Sequence, residues 1–331
     1  MPDMEKKKYD VTALGEVLID FTYSGTNNDG KKLYEENPGG APANCVCAVA
    51  KLGGRGAFIG MTGRDSFGQD IRAVLGNLGV DTSGIRYSDR QHTTLAFVSL
   101  AENGERTFSF CRNPGADTQI APSDLDMDML ARTRILHIGS LSLTDEPAKS
   151  TTLKAVSLVK AAGGLVSYDP NYRASLWHGR DDAIPLMKSI FPLADIVKIS
   201  EEEMELLFGK GLSYEDGARQ ILGLGPSLVT ITLGSKGVYY VAKQGFSGQL
   251  AVRKVKVADT TGAGDSFGGG LLYRLSRRED PLTFTKEELE QDVSFANAVA
   301  SLCVMKRGAI PALPDLAQVH DFLRDQQANP S

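Results

Sequence analysis

The chain has 331 residues, enough for one large α/β domain or two smaller ones. Hydrophobic residues make up 42% and charged residues 23%, the balance of a soluble globular protein rather than a disordered or fibrous one. The net charge is −5 and no stretch is strongly basic beyond the solvated start Lys6-Lys7-Lys8, which argues against nucleic acid as a partner.

In chain order, short apolar runs alternate with helix-like stretches. Residues 10–19 read as a first buried strand. Residues 41–52 read as a helix opening just after Gly39-Gly40, with Pro42 in its first turn. A strand over 56–62 and a helix over 68–78 follow. Further buried strands are expected at 135–139, 165–168, 196–199 and 228–232, with helical patterns at 150–162, 202–207 and 214–222 between them. Such alternation predicts an α/β fold with a largely parallel sheet and helices on both faces. Two segments, 21–36 and 93–112, are too polar on one face for a parallel core. The first has a turn-rich tip at Asn27-Asn28-Asp29-Gly30, and the second reads as two alternating strands around Glu102-Asn103-Gly104. Together they are expected to form a small β-lid on a single domain spanning 1–331. A last strand at 254–257 leads into a glycine-rich motif, and long helices are expected over 262–276 and 289–305.

The 35 glycines cluster in short motifs, which suggests tight turns and close backbone approach to a ligand. The four cysteines, Cys45, Cys47, Cys111 and Cys303, form no CxxC pair, and the four histidines offer no zinc spacing. Reduced thiols in a cytoplasmic protein are the expectation. The charged start lacks the apolar core of a signal peptide, and no run is long and apolar enough to span a membrane.

The most informative stretch is Asp259-Thr260-Thr261-Gly262-Ala263-Gly264-Asp265-Ser266-Phe267. A polar segment runs into small residues and then an apolar helix. Gly-Ala-Gly lets backbone N–H groups approach a ligand at a helix N-terminus, a turn that binds anions without side chains. Asp265 lies in the first turn, where a carboxylate would repel an anion unless its task is to take a proton from an attacking hydroxyl. A solvated acid at a helix start is the bland alternative. These nine residues resemble the signature of the ribokinase/pfkB carbohydrate kinases. The resemblance implies a three-layer ribokinase-like fold, Asp265 as catalytic base, and Gly262, Ala263 and Gly264 as the turn that steadies the transferring phosphoryl group.

A second resemblance runs through Gly39-Gly40-Ala41-Pro42-Ala43-Asn44 and Gly60-Met61-Thr62-Gly63-Arg64-Asp65-Ser66-Phe67-Gly68. It implies that Gly39, Gly40 and Asn44 meet the sugar, while Gly63, Asp65 and Gly68 are turn residues. Asp20, read at the carboxyl end of the first strand, resembles the family aspartate that accepts hydrogen bonds from two sugar hydroxyls. On the nucleotide side, Thr230-Ile231-Thr232-Leu233-Gly234-Ser235-Lys236-Gly237 is similar to the family segment along the ATP phosphates, implicating Thr232, Gly234 and Gly237. Asn297 and Gly308 resemble positions beside the adenine. Potassium is implied near Asp259, Thr261, Cys303, Lys306 and Gly308, although Ala312 stands where many relatives have serine. The Mg²⁺ acid of the family's Asn-x-x-Glu stretch falls on Glu203, with Ser200 in place of the asparagine. Gly25–Lys32 nearly fits Walker A spacing, but lacks the final Ser/Thr and reads as a hairpin tip.

Two further segments lean towards fructose. Arg112-Asn113-Pro114-Gly115-Ala116-Asp117 and Asp169-Pro170-Asn171-Tyr172-Arg173 resemble segments common in fructokinases. Arg112 and Arg173 would enter the crevice from lid and floor, where a guanidinium can bind vicinal hydroxyls. The same arginines would suit the carboxylate of a keto-sugar acid such as 2-keto-3-deoxygluconate. Another sugar or polyol, and a catalytically inactive sugar-binding regulator, are the remaining alternatives. The lid edge could pair with a second lid to give a homodimer.

Overall fold

The computed structural model describes residues 7–100, 106–177 and 179–328. The chain opens with β1 (Tyr9–Leu14), then β2 (Leu18–Thr26), β3 (Lys32–Gly39) and α1 (Ala41–Lys51). Strand β4 (Gly56–Gly63), α2 (Ser66–Asn77) and β5 (Asp81–Ser88) follow, then β6 (Leu95–Leu100) and β7 (Arg106–Cys111). The middle runs α3 (Met127–Ala131), β8 (Thr133–Gly139), α4 (Ala148–Ala161), β9 (Leu165–Asp169), α5 (Arg180–Ile190) and β10 (Ile196–Ser200). Next come α6 (Glu201–Phe208), α7 (Tyr214–Leu222), β11 (Leu228–Thr232), β12 (Val238–Ala242) and β13 (Ser247–Leu250). The last helices are α8 (Ala263–Ser276), α9 (Lys286–Cys303) and α10 (Leu316–Ala328).

Nine strands form the central sheet in the order β13-β12-β11-β10-β9-β8-β1-β4-β5. All neighbours from β11 to β5 run parallel, and β12 and β13 add an antiparallel edge. Parallel strands are covered on both faces, which is why β1 and β4 are buried along their whole length. One face packs on α1, α2, α8 and α9, through residues such as Val49, Ile71, Phe267 and Val293. The other packs on α3 to α7, through Met129, Val156, Met187, Met204 and Ile221. This is the expected three-layer α/β arrangement. A separate four-stranded sheet, ordered β3-β2-β6-β7, supplies the lid, with Phe21 stacked on Phe97 and edge-on to Phe67. The expected turn at Glu102-Asn103-Gly104 falls outside the described residues.

Two sequence expectations are corrected. The apolar run 10–19 is two strands in two sheets. The Gly15 N–H bonds to the Ile59 carbonyl at 3.2 Å, β1 ends at Leu14, and Leu18 begins the lid. Hydrophobicity cannot reveal a change of sheet, because both halves are buried. Residues 254–257 form no strand; the Lys-Val alternation has no sheet partner there, Val257 is exposed, and the edge strand is β13 instead.

Candidate active site

The topology reverses between β1 and β8: the chain winds from β1 to β5 on one side and from β8 to β11 on the other. Ligand crevices in open α/β sheets lie at such a switch point, beyond the carboxyl ends of the strands. A cleft of about 440 Å³ opens there. Its walls come from the segments that follow β1, β8, β9, β10 and β11, from the start of α1 and from the turn that opens α8.

Asp265 lies on the cleft floor. Its two oxygens accept separate amide hydrogen bonds, Oδ2 from Asn44 Nδ2 at 2.8 Å and Oδ1 from Asn171 Nδ2 at 3.0 Å. Asn171 has φ 44, the one non-glycine residue with positive φ among those described, so the backbone is bent to aim this donor. Burial pushes the Asp265 pKa up and the Asp169 charge adds to it, against the pull of Lys198 and Asn44. A carboxylate with raised proton affinity, oriented by two donors, suits a general base. Gly262 caps α8 in the left-handed region at φ 74, and a Cβ there would sit 2.6 Å from the Ala309 Cβ. Ala263 and Gly264 follow it on the cleft wall.

Beneath the turn lies a buried ion pair, Lys198 Nζ to Asp169 Oδ2 at 3.0 Å. Burial opposes the Lys198 charge, but Asp169, Glu203 and Asp265 outweigh it and hold its pKa raised to about 12. The ammonium is so close that a Cβ on Gly264 would meet Nζ at 2.7 Å.

The sugar half gathers Asp20, Gly40, Asn44 and Arg173 along the cleft. Asp20 stands on lid strand β2, paired with Asn37, and not at the end of β1 as the sequence suggested. Gly39 stays off the cleft wall and makes room for Asp20, since a Cβ there would lie 2.2 Å from Asp20 Oδ2. Gly40, at φ 107, passes so near the Glu16 carbonyl that a Cβ would sit 2.5 Å from it. Arg112 departs from expectation. Its guanidinium is buried behind the wall, donates to Asp117 Oδ2 at 2.7 Å, to the Leu141 carbonyl at 2.9 Å and to Thr144 at 3.0 Å, and does not line the cleft.

On the other half, Ser200, Glu203, Thr232, Gly234 and Thr261 line the wall. Ser200 caps α6, and each Glu203 oxygen already accepts a backbone N–H, Oε1 from Tyr172 at 2.7 Å and Oε2 from Ser200 at 2.9 Å. Gly237, Asn297, Gly308, Asp259, Cys303 and Lys306 stand away from the wall. Gly237 is required by the backbone, with a Cβ position 2.0 Å from the Leu250 carbonyl. Asn297 is buried in α9 and Lys306 is exposed. Asp259 ties the loops together, accepting from Thr261 N at 2.7 Å and Gly308 N at 3.0 Å. The carbonyls of Thr261 and Ala309 both come within about 4 Å of Cys303 Sγ, at 4.0 and 3.9 Å.

This geometry has close counterparts. The sequence profile of the pfkB family carbohydrate kinases matches residues 8–316. The chain belongs to the pfkB carbohydrate kinase family. Fructokinase-1 of Oryza sativa subsp. japonica is 42% identical over 312 residues, covering 93% of this chain and 96% of its own. Fructokinase with bound ATP from Xylella fastidiosa superposes with a TM-score of 0.89 at 32% identity, covering 96% of this chain and 99% of that one. A fructokinase double mutant from Vibrio cholerae O395, in a fructose-, ADP- and potassium-bound form, gives 0.85 at 35% identity and covers 95% and 97%.

In this pfkB kinase, four site residues escaped the sequence reading. Asn171 and Asp169 share their segment with Arg173, and nothing local singles them out within it. Lys198 breaks the apolar run Ile196-Val197-Lys198-Ile199, and a charge in a buried strand is itself a signal. Glu16, just past β1, had no motif to mark it.

Proposed function

We propose that this pfkB carbohydrate kinase transfers the γ-phosphoryl group of ATP to the 6-hydroxyl of fructose. One observation carries the chemistry: Asp265, held by Asn44 and Asn171, stands beside the Gly262–Gly264 turn in a cleft that also holds Asp20 and Arg173. The fructokinase relatives support the choice of sugar. In this reading Asp20, Gly40 and Asn44 hold the sugar. Thr232, Gly234 and Ser200 run along the nucleotide, and the Gly262 turn meets its phosphates. The 6-hydroxyl oxygen bonds to the γ-phosphorus, the bond from that phosphorus to the β–γ bridging oxygen breaks, and Asp265 takes the hydroxyl proton as ADP leaves. Lid strands β2, β3, β6 and β7 exclude water.

Mg²⁺ suits a site where Glu203 is already engaged by backbone amides, since that ion keeps waters and leans on nucleotide phosphates. Bound there it would neutralise phosphate charge, with Glu203 reaching it through water. Potassium suits the convergent Thr261 and Ala309 carbonyls beside Asp259, where it would fix the loop that leads into the anion turn. Among the described residues no three His, Cys, Asp or Glu side chains gather as a metal cluster.

Withdrawal of Arg112 from the cleft leaves a keto-sugar acid only one of its two arginines, and an intact Asp265 argues against an inactive regulator. We take residues 1–331 as one kinase domain acting in the cytoplasm; among the described residues no helix is long and apolar enough to cross a membrane. The outer lid strand β3 exposes Leu33 and Tyr34 and, among the described residues, leaves an edge unpaired, which supports a lid-to-lid homodimer. Light scattering should give twice the chain mass of 35.6 kDa, and a monomer at every concentration would remove the dimer.

The deciding assay measures ADP release from Mg-ATP, with and without K⁺, across fructose, ribose, glucose, 2-keto-3-deoxygluconate and adenosine. Fructose should far exceed the rest, and more so with K⁺. A preference for the keto-acid would keep the phosphoryl-transfer chemistry and overturn the sugar. Silence with every acceptor would overturn the kinase reading.

A further inference from the structure

A second carboxyl-bearing residue lines the sugar half of the cleft. Glu16 lies in the three-residue step between β1 and the lid strand β2, and it is 3% exposed. Its Oε1 accepts the N–H of Ala41, the first residue of α1, at 3.0 Å. Its Oε2 is buried and has no hydrogen-bond partner among the described residues. The residue lines the cleft together with Asp20, Gly40 and Asn44.

Buried polar atoms are nearly always satisfied, and a carboxylate oxygen is among the most expensive to leave bare. An unsatisfied carboxyl oxygen on a residue that lines a ligand cleft therefore points to a partner that arrives with the ligand. The main chain around Glu16 is rigidly set. Gly40 packs on the Glu16 carbonyl with no room for a Cβ, and Oε1 is pinned to the helix start, so the free oxygen cannot swing to another donor without giving up Ala41.

We propose that Glu16 is a sugar-binding residue, whose Oε2 hydrogen-bonds a hydroxyl of the acceptor and selects neutral sugars over sugar acids. This rests on the sugar-kinase reading of the same cleft and names a specificity group within it. The chemistry is asymmetric. A hydroxyl can donate to a carboxylate or accept from a carboxylic acid, so it pairs with Glu16 in either state. A substrate carboxylate pairs only with the acid and is repelled by the anion. Burial pushes the Glu16 pKa up to about 7, opposed first by its own backbone N–H and then by Arg112, and reinforced by Asp117, so both states are accessible near neutrality. Arg112, which the sequence placed on the sugar, is thereby given another task. Bonded to Asp117, it tempers the field around Glu16 from behind the wall.

Glu16→Gln tests this. The amide oxygen can still accept from Ala41, while an NH₂ group replaces Oε2, so the fold should persist. An amide NH₂ donates to a hydroxyl as the protonated acid does, so fructose KM should stay within a few-fold of the parent. The repelling anion is gone, so 2-keto-3-deoxygluconate should gain about tenfold or more relative to fructose in kcat/KM, equivalent to ~1.4 kcal/mol or above. Glu16→Asp keeps the charge but shortens the reach by one methylene; fructose KM should rise about tenfold, and the rise in melting temperature that fructose alone induces should shrink. Unchanged fructose KM and thermal shift in Glu16→Asp, or no gain for the keto-acid in Glu16→Gln, would overturn the proposal. If the parent enzyme itself ignores fructose, the functional reading fails first; the thermal shifts with the sugar it does accept then decide Glu16 alone.

Discussion

Asp265→Asn should lower kcat with fructose by about 10²–10⁴-fold, the usual contribution of a positioned base, while nucleotide-free fructose binding stays near that of the parent. The substitution preserves shape, removes the ability to accept a proton and leaves one acceptor oxygen where there were two. Asn44 and Asn171 would still find one amide oxygen between them, so the cleft should remain assembled. The pH profile gives an independent check. Burial and Asp169 raise the Asp265 pKa, so the group binds its proton at a higher pH than an ordinary aspartate. Only the deprotonated form can act as base. Activity should therefore fall as pH drops through that raised value, with an acid limb above the usual carboxylate range, and the limb should vanish in the variant. Near-normal turnover in Asp265→Asn would mean that another group takes the proton.

Lys198→Met should be the most destabilising single change in the site. It leaves Asp169 as a buried carboxylate without its cation, a loss of about 3–5 kcal/mol for a broken buried pair. Asp169 Oδ1 already lacks a partner, so nothing else nearby compensates the charge. The double variant Lys198→Met/Asp169→Asn removes both charges and should recover most of the lost melting temperature. Equal melting of parent, single and double variants would show that the pair does not hold the site together. Lys198 also draws the Asp265 pKa down, so any activity left in the single variant should show an acid limb moved to still higher pH.

Much of this molecule could be read from its residues alone, and the exceptions share a cause. Short β-branched runs such as β11 and polar-to-apolar transitions such as the Gly262 turn have local signatures, and both lie where expected. The sheet change at Gly15 has none, because a residue is equally buried whichever sheet it joins. Asp20 therefore reaches the cleft from a lid strand and not from the end of β1. Arg112 illustrates the complementary limit. Its motif was recognisable, but a buried arginine bonded to Asp117, five residues on, and one that reaches a ligand look identical in sequence. Glu16, Asn171 and Lys198 depend on side-chain direction across elements distant in the chain. Only the packed structure brings Lys198 of β10 under the first turn of α8.

That last contact changes what the third small residue of the Gly-Ala-Gly turn is for. Gly264 is crowded from below, by the lysine ammonium. Positions 198 and 264 are therefore not free to drift independently: a methyl group at 264 is harmful while a long cation stands at 198 and far less so once it is gone. Gly264→Ala and Lys198→Met should combine non-additively. Along a series of substitutions, a side chain at 264 should therefore cost less once the ammonium at 198 is gone, so the order of the two changes matters as well as their identity.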